Sequence, residues 1–184
     1  MNHQPLTLIV IDMQQGMKEP SAGVRNNPDA EQNIQRLLVA WRTAGWPVVQ
    51  VRHISRTLGS PFWPGQPGAE FQRDLAPLQG EHVVEKNVPD AFIHTGLERW
   101  LHVRGLRHLV IVGVSTNNSV EATARTAGNL GFSTVVVSDA TFTFGKTDHA
   151  GVLRSAEEVH AMSLANLNGE YATIMTTADA LGLL

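Results

Sequence analysis

The sequence predicts an α/β fold in which helices cover both faces of a parallel sheet, and three observations carry that prediction. Continuous apolar runs rich in β-branched residues, such as Thr7–Ile11 and Leu109–Val112, suit strands buried on both sides. Segments with apolar residues every three or four positions lie between such runs. Strand and helix segments alternate to the end of the chain, the order that makes parallel crossover connections. In such sheets a ligand site lies outside the carboxyl ends of the strands, near a topological switch point.

The elements follow in order. Thr7–Ile11 is the first strand, and Asp12 ends it. Gln14–Pro28 is polar and interrupted by Gly and Pro, so it reads as a long loop. Asp29 caps a helix whose apolar face is Ala30, Ile34, Leu37, Leu38 and Trp41, and Gly45 stops it. Pro47–Val51 is the second strand, running out near Arg52 and His53. Ile54–Gly68, with three prolines, three glycines, Phe62 and Trp63, has the composition of a lid loop. A short helix is expected around Glu70–Leu75. His82–Glu85 is the third strand, ended by Lys86, and Asp90–Phe92 forms a turn. Thr95 to Glu98 fits a capping box for a helix with Leu97, Trp100 and Leu101 inward and Gly105 at its end. Leu109–Val114 is the fourth strand. Thr134–Ser138, ending at Asp139, is the fifth, and Asp148–Leu167 reads as one long helix with Val152, Ala156, Val159 and Met162 on a face. Ala172–Met175 is a sixth strand, and Thr177 caps a closing helix.

The stretch Gly113–Gly131, GVSTNNSVEATARTAGNLG, is the most informative. It opens with turn and cap residues and continues as a helix with Val120, Thr123, Ala124, Ala127 and Leu130 on one face, closed by Gly131. A helix N-terminus offers free N–H groups and favours negative charge, which suits a nucleophile and an oxyanion hole at Ser119. Taken alone, the stretch favours reading Asn117, Asn118 and Ser119 as cap residues. Asp12, His53, Lys86, Ser119 and Asp139 all stand at or just past strand ends.

Composition narrows the classes. The 184 residues suffice for one domain, 1–184, with a substantial core. A content of 42% hydrophobic and 17% charged residues is that of an ordinary globular protein. The formal net charge of −3 argues against nucleic acid or an anionic membrane as partner. The absence of cysteine excludes disulfides, thiolate metal sites and a cysteine nucleophile. The start, MNHQP, lacks the basic region of a signal peptide, and no stretch has the length of a membrane span. A cytoplasmic location is the expectation.

Three blocks together are more specific: LIVIDMQQGM at the first strand, VVEKNVPDAFIHTGLERWL at the third, and GVSTNNSVEATARTAGNLGF after the fourth. With these in this order, the chain resembles the isochorismatase-like hydrolases, often called cysteine hydrolases, over nearly its full length. The resemblance implies a three-layer α/β/α sandwich, Rossmann-like, with a six-stranded parallel sheet. It maps the family's catalytic Asp to Asp12, its catalytic Lys to Lys86, and its nucleophile position, usually Cys, to Ser119. It also implies a cis peptide at Val114–Ser115, with backbone N–H groups around Ser115 and Ser119 holding an oxyanion. Gln14, Trp63, Phe92 and Asn117 complete the expected binding set. Members commonly form dimers or larger closed oligomers, so a homodimer at least is expected, with Phe62 and Trp63 near the partner.

Serine in place of cysteine is a departure. A hydroxyl supplies almost no anion by itself and needs a base in the transition state, for which Asp12 is the candidate. Ser119 is then a natural nucleophile, an engineered replacement, or a non-nucleophilic residue as in true isochorismatases, where Asp acts as general acid on a vinyl ether. The expected function is hydrolysis of an amide-type C–N bond in a small molecule. Its rivals are vinyl-ether hydrolysis by Asp12 and Lys86, and small-molecule binding without catalysis. The metal-bearing nicotinamidase branch places an Asp and two His near the end of strand two. Here Val51 and a lone His53 stand there, so neither metal nor any other cofactor is expected.

Overall fold

The computed structural model describes residues 5–184; the first four, part of the start weighed for a leader, lie outside the described residues. The strands are β1 (Leu6–Ile11), β2 (Val48–His53), β3 (His82–Lys86), β4 (His108–Val114), β5 (Ser133–Phe142), the short pair β6 (Lys146–Thr147) and β7 (Leu153–Arg154), and β8 (Thr173–Met175). The helices are α1 (Ala30–Ala44), α2 (Leu97–Val103), α3 (Glu121–Asn129), α4 (Ala156–Leu167) and α5 (Thr177–Leu181). Six strands form one parallel sheet in the order β3-β2-β1-β4-β5-β8. The chain steps outward from β1 to β2 and β3, then returns to β4 on the other side of β1. That reversal makes the carboxyl ends of β1 and β4 the switch point of the sheet.

Central strands buried on both faces need a core on each side. One core packs Ile9, Ile11, Val49, Val51, Leu109 and Ile111 against α2 and α3. The other packs Leu8, Val10, Val110 and Val112 against α1 and α5, with Trp41 fully buried and its indole N–H donating to the Leu6 carbonyl at 2.9 Å. Three layers result. Among the described residues, no helix is long and apolar enough to cross a membrane.

Several local expectations change. The fifth strand does not end at Asp139 but runs to Phe142, because its pairing with β4 shifts register between Ile111 and Gly113. The Asn27 side-chain amide secures the irregular piece by donating to the Ser138 and Thr141 carbonyls, and Asn33 donates to Asp139 O. The long helix expected from Asp148 begins only at Ala156. Gly151, at φ +84°, instead turns the chain into the β6–β7 hairpin. Ser155 then caps α4 in a reciprocal capping box with Glu158. Val152 and Met162 are accordingly exposed. The helix expected at Glu70–Leu75 is two short 3-10 turns, Pro67–Ala69 and Arg73–Leu75. No capping box forms at α2, whose cap residue is Gly96. Trp100 is half-buried and lies flat on the His82 imidazole, with ring centroids 4.4 Å apart. The capping residue of α5 is Thr176, one position before the expected Thr177.

Candidate active site

β1 delivers Asp12 to the switch point. The residue leaves the strand at φ +53°, an uncommon backbone for a side chain, though Asp is among the types that adopt it. Its N–H donates to the Val51 carbonyl and its own carbonyl accepts from Gln14 N–H, which fixes the reversal. Lys86 ends β3, two strands away. Alternation along β3 places Val84 and Lys86 on the buried side and Val83 and Glu85 on the exposed one. The lysine stem thus crosses the end of β2, and Nζ donates to Asp12 Oδ2 at 2.7 Å and to Ser119 Oγ at 3.3 Å. The Lys86 and Asp12 side chains are 0% and 2% exposed. Asp12 Oδ1 is buried and has no hydrogen-bond partner among the described residues, an acceptor left over for something else.

Ser119 lies on a π-helical turn, Thr116–Val120, that leads into α3. Single π turns of this kind are frequent at functional sites. The peptide between Val114 and Ser115 is cis. The Ser115 carbonyl accepts from the N–H groups of Asn118 and Val120, tying the turn to the strand end. A layer behind the turn holds it from α4. His160 Nδ1 and Thr116 Oγ1 are 2.8 Å apart, and Ser163 Oγ donates to the Thr116 carbonyl at 3.0 Å and to Glu121 Oε2 at 2.6 Å. Burial keeps the His160 imidazole below its ordinary pKa, against the opposing pull of the Ser138 backbone and the Glu157 charge. This support was missed in the sequence. Its only signal there is one helical turn's spacing between His160 and Ser163, on a helix whose start was misplaced.

The remaining expected residues divide. Trp63 lines a cavity of about 460 Å³ whose wall includes Lys86. Gln14 is fully buried, and its amide is spent on the backbone. Nε2 donates to the His53 and Ala69 carbonyls, while Oε1 accepts from His53 N–H. It therefore clamps the ends of β1 and β2 rather than facing a ligand. Phe92 belongs to the core, stacked against Phe132 with centroids 5.8 Å apart. Asn117 Oδ1 accepts from the Thr143 hydroxyl at 2.5 Å, and the residue lines a different cavity, beside α4. Asp139 instead holds the first residue of α5, accepting from Thr177 N–H and Oγ1–H, both at 2.7 Å. His53 stands near the cluster, lowered in pKa first by burial and then by the Lys86 ammonium, with Asp12 opposing. Its ring meets Phe62 edge-on at 6.2 Å. Among the described residues, no group of three or more His, Asp or Glu side chains is placed to hold a metal ion.

A buried cation bridging a carboxylate and a hydroxyl, at the switch point of a parallel sheet, can move a proton and steady a developing negative charge. Known proteins resemble the chain over nearly its whole length. The family model described as Isochorismatase domain matches residues 7–179. The Bacillus subtilis (strain 168) isochorismatase family protein YrdC is 39% identical, over 92% of this chain and 91% of its own. The crystal structure of an isochorismatase-family protein from Chromobacterium violaceum ATCC 12472 superposes with a TM-score of 0.95 at 52% identity, covering 99% of this chain and 94% of that one. The ureidoacrylate amidohydrolase RutB of Variovorax paradoxus (strain S110) is 31% identical over 75% of this chain and 69% of its own.

Proposed function

The chain belongs to the isochorismatase family of hydrolases, and from that premise we propose that it hydrolyses an amide C–N bond of a small molecule at Asp12, Lys86 and Ser119. The observation that carries this is the bridge at Lys86: one ammonium touches both the carboxylate and the hydroxyl, and all three groups are buried. The name of the relative RutB, an amidohydrolase, supports the bond type.

In this reading Ser119 Oγ attacks the amide carbonyl carbon as its proton passes to the Asp12 carboxylate. The carbonyl electron pair moves onto oxygen, where backbone N–H groups around Ser115 and Ser119 hold it. The C–N bond then breaks, and Asp12 returns the proton to the departing nitrogen. Water repeats the sequence on the acyl-serine, releasing a carboxylic acid and restoring the hydroxyl. Lys86 holds Asp12 in place and offsets the negative charge.

A second reading rests on the direction of one hydrogen bond. The Ser119 hydroxyl accepts from the Lys86 ammonium at 3.3 Å and donates to no base among the described residues, so nothing there draws off its proton. That favours non-covalent vinyl-ether hydrolysis, with Asp12 as general acid and Ser119 a bystander. Turnover of a panel of primary amides and of isochorismate by Ser119→Ala and Asp12→Asn separates the readings. Covalent amide hydrolysis requires Ser119→Ala to lose several orders of magnitude in kcat. An active chain whose Ser119→Ala variant keeps its rate, while Asp12→Asn does not, establishes the vinyl-ether route instead. Binding without turnover of either class leaves a small-molecule binder.

A further inference from the structure

Ser119 meets Lys86 through one hydrogen bond of 3.3 Å, and the turn that carries it is not a regular helix. Val120 N–H reaches back five residues to the Ser115 carbonyl, and Glu121 N–H does the same to Thr116. Backbone left to itself prefers bonds four residues apart, and one residue more or less swings a side chain by about 100° around the helix axis. The direction of Ser119 Oγ therefore depends on what grips the turn from outside. On one side α4 grips Thr116. On the other, Thr143, just past the end of β5, donates its hydroxyl to Asn117 Oδ1 at 2.5 Å, two residues before Ser119. Thr143 is 2% exposed and is itself held by Asn26. Its N–H donates to Asn26 Oδ1 at 2.8 Å, and its carbonyl accepts from Asn26 N–H at 3.2 Å. Arg25 fastens that hold by pairing with Glu31, donating to the Asn26 carbonyl and lying 3.4 Å over the Phe142 ring. The register shift of β5 carries it past Asp139 to pair Phe142 with Val114, which brings Thr143 beside the turn.

We propose that Thr143 is a positioning residue for the hydrolysis: its hydroxyl, acting through Asn117, fixes the turn so that the side chain at position 119 faces Lys86. Asn26 and Arg25 anchor Thr143, so the loop after β1 supports the turn after β4. The part Ser119 plays in the reaction rests on the amide-hydrolase reading. Its placement does not, and the test keeps the two apart.

The chain contains no cysteine, so Ser119→Cys introduces a single thiol whose ultraviolet thiolate absorbance reports the closeness of Lys86. In that background Thr143→Val, which removes the hydroxyl at nearly constant volume, should lower the thiolate equilibrium about tenfold. Thr143→Ser keeps a hydroxyl and should hold the equilibrium within about twofold of the parent's. Asn117→Ala, on the half-buried partner, should act as Thr143→Val does, and the two together should do no more than either alone. In the chain that retains Ser119, Thr143→Val should cut kcat for amides about tenfold or more with KM within about twofold, and Thr143→Ser should not. An unchanged thiolate equilibrium in Thr143→Val overturns the proposal. So does a loss that Thr143→Ser shares, a double variant whose losses add, or an unchanged kcat where Ser119→Ala abolishes turnover. Ser119→Ala is followed separately. Full turnover by that variant, or none by the parent, beside a thiol that responds to Thr143→Val refutes the covalent reading and leaves the positioning role standing. Turnover that needs Ser119 beside a thiol indifferent to Thr143→Val does the reverse.

Discussion

Lys86 Nζ donates to Ser119 Oγ at 3.3 Å and to Asp12 Oδ2 at 2.7 Å, so the hydroxyl meets a cation before it meets a base. A thiol in the same place responds differently from a hydroxyl. An adjacent ammonium stabilises a thiolate, which is itself the nucleophile, whereas a serine must lose its proton during the reaction. Ser119→Cys is therefore expected to raise amide turnover by at least about tenfold where the parent is slow, with ultraviolet thiolate absorbance appearing below the usual thiol range, around pH 8.5. A variant with neither gain nor a thiolate signal at neutral pH contradicts the view that the cluster is arranged for covalent chemistry.

The same ion pair is a stability element. Both side chains are almost wholly out of water, so removing one charge strands the other. Lys86→Met should destabilise the chain by about 3–5 kcal/mol in chemical denaturation. The double variant Asp12→Asn, Lys86→Met should recover a large part of that loss, since no uncompensated charge remains. A single variant as stable as the parent shows that the pair is not sequestered.

Backbone crowding at the switch point predicts a second stability effect. A Cβ on Gly113 would lie 2.1 Å from the Ile11 carbonyl oxygen, at a φ of +118°. β1 and β4 pair there in register, so the neighbour is backbone and has no room to yield. Gly113→Ala should cost about 3 kcal/mol or more. Gly131, also at positive φ but with open space around it, should lose only about 1–2 kcal/mol on the same change. Thermal or denaturant unfolding of the pair reads the difference directly.

His160 gives the fold a pH dependence of known sign. Its folded pKa is lowered by burial, so between the folded value and the unfolded one, near ~6.5, the unfolded chain binds more protons. The stability linked to this group is fully present above about pH 6.5 and is lost as pH falls through the folded value. His53 is lowered in the same direction by burial and by Lys86 and adds to the slope. His160→Gln, which keeps an amide beside Thr116 but cannot titrate, should reduce the slope of unfolding free energy below about pH 6.5. A slope identical to the parent's assigns the pH dependence to other groups.

What the sequence alone determines here is local. Continuous β-branched runs and three-to-four spacing are properties of neighbouring residues, and they sufficed for the six parallel strands, for α1 with its buried Ala30, Ile34, Leu37, Leu38 and Trp41, and for Gly131 closing α3. Asp12, Lys86 and Ser119 were visible as strand-end residues because a change from apolar to polar is also local. Their union was implied by the family resemblance alone and by no local pattern. Lys86 reaches Asp12 only because β2 separates β1 from β3 and the alternation of β3 turns Lys86 inward, which depends on strand order and register. The same dependence gave Gln14 and Asp139 structural duties, since Gln14 meets His53, 39 residues away, and Asp139 meets Thr177, 38 residues away. A side chain's function is set by which groups compete for its hydrogen bonds, and packing brings those competitors from distant parts of the chain, where no local periodicity records them.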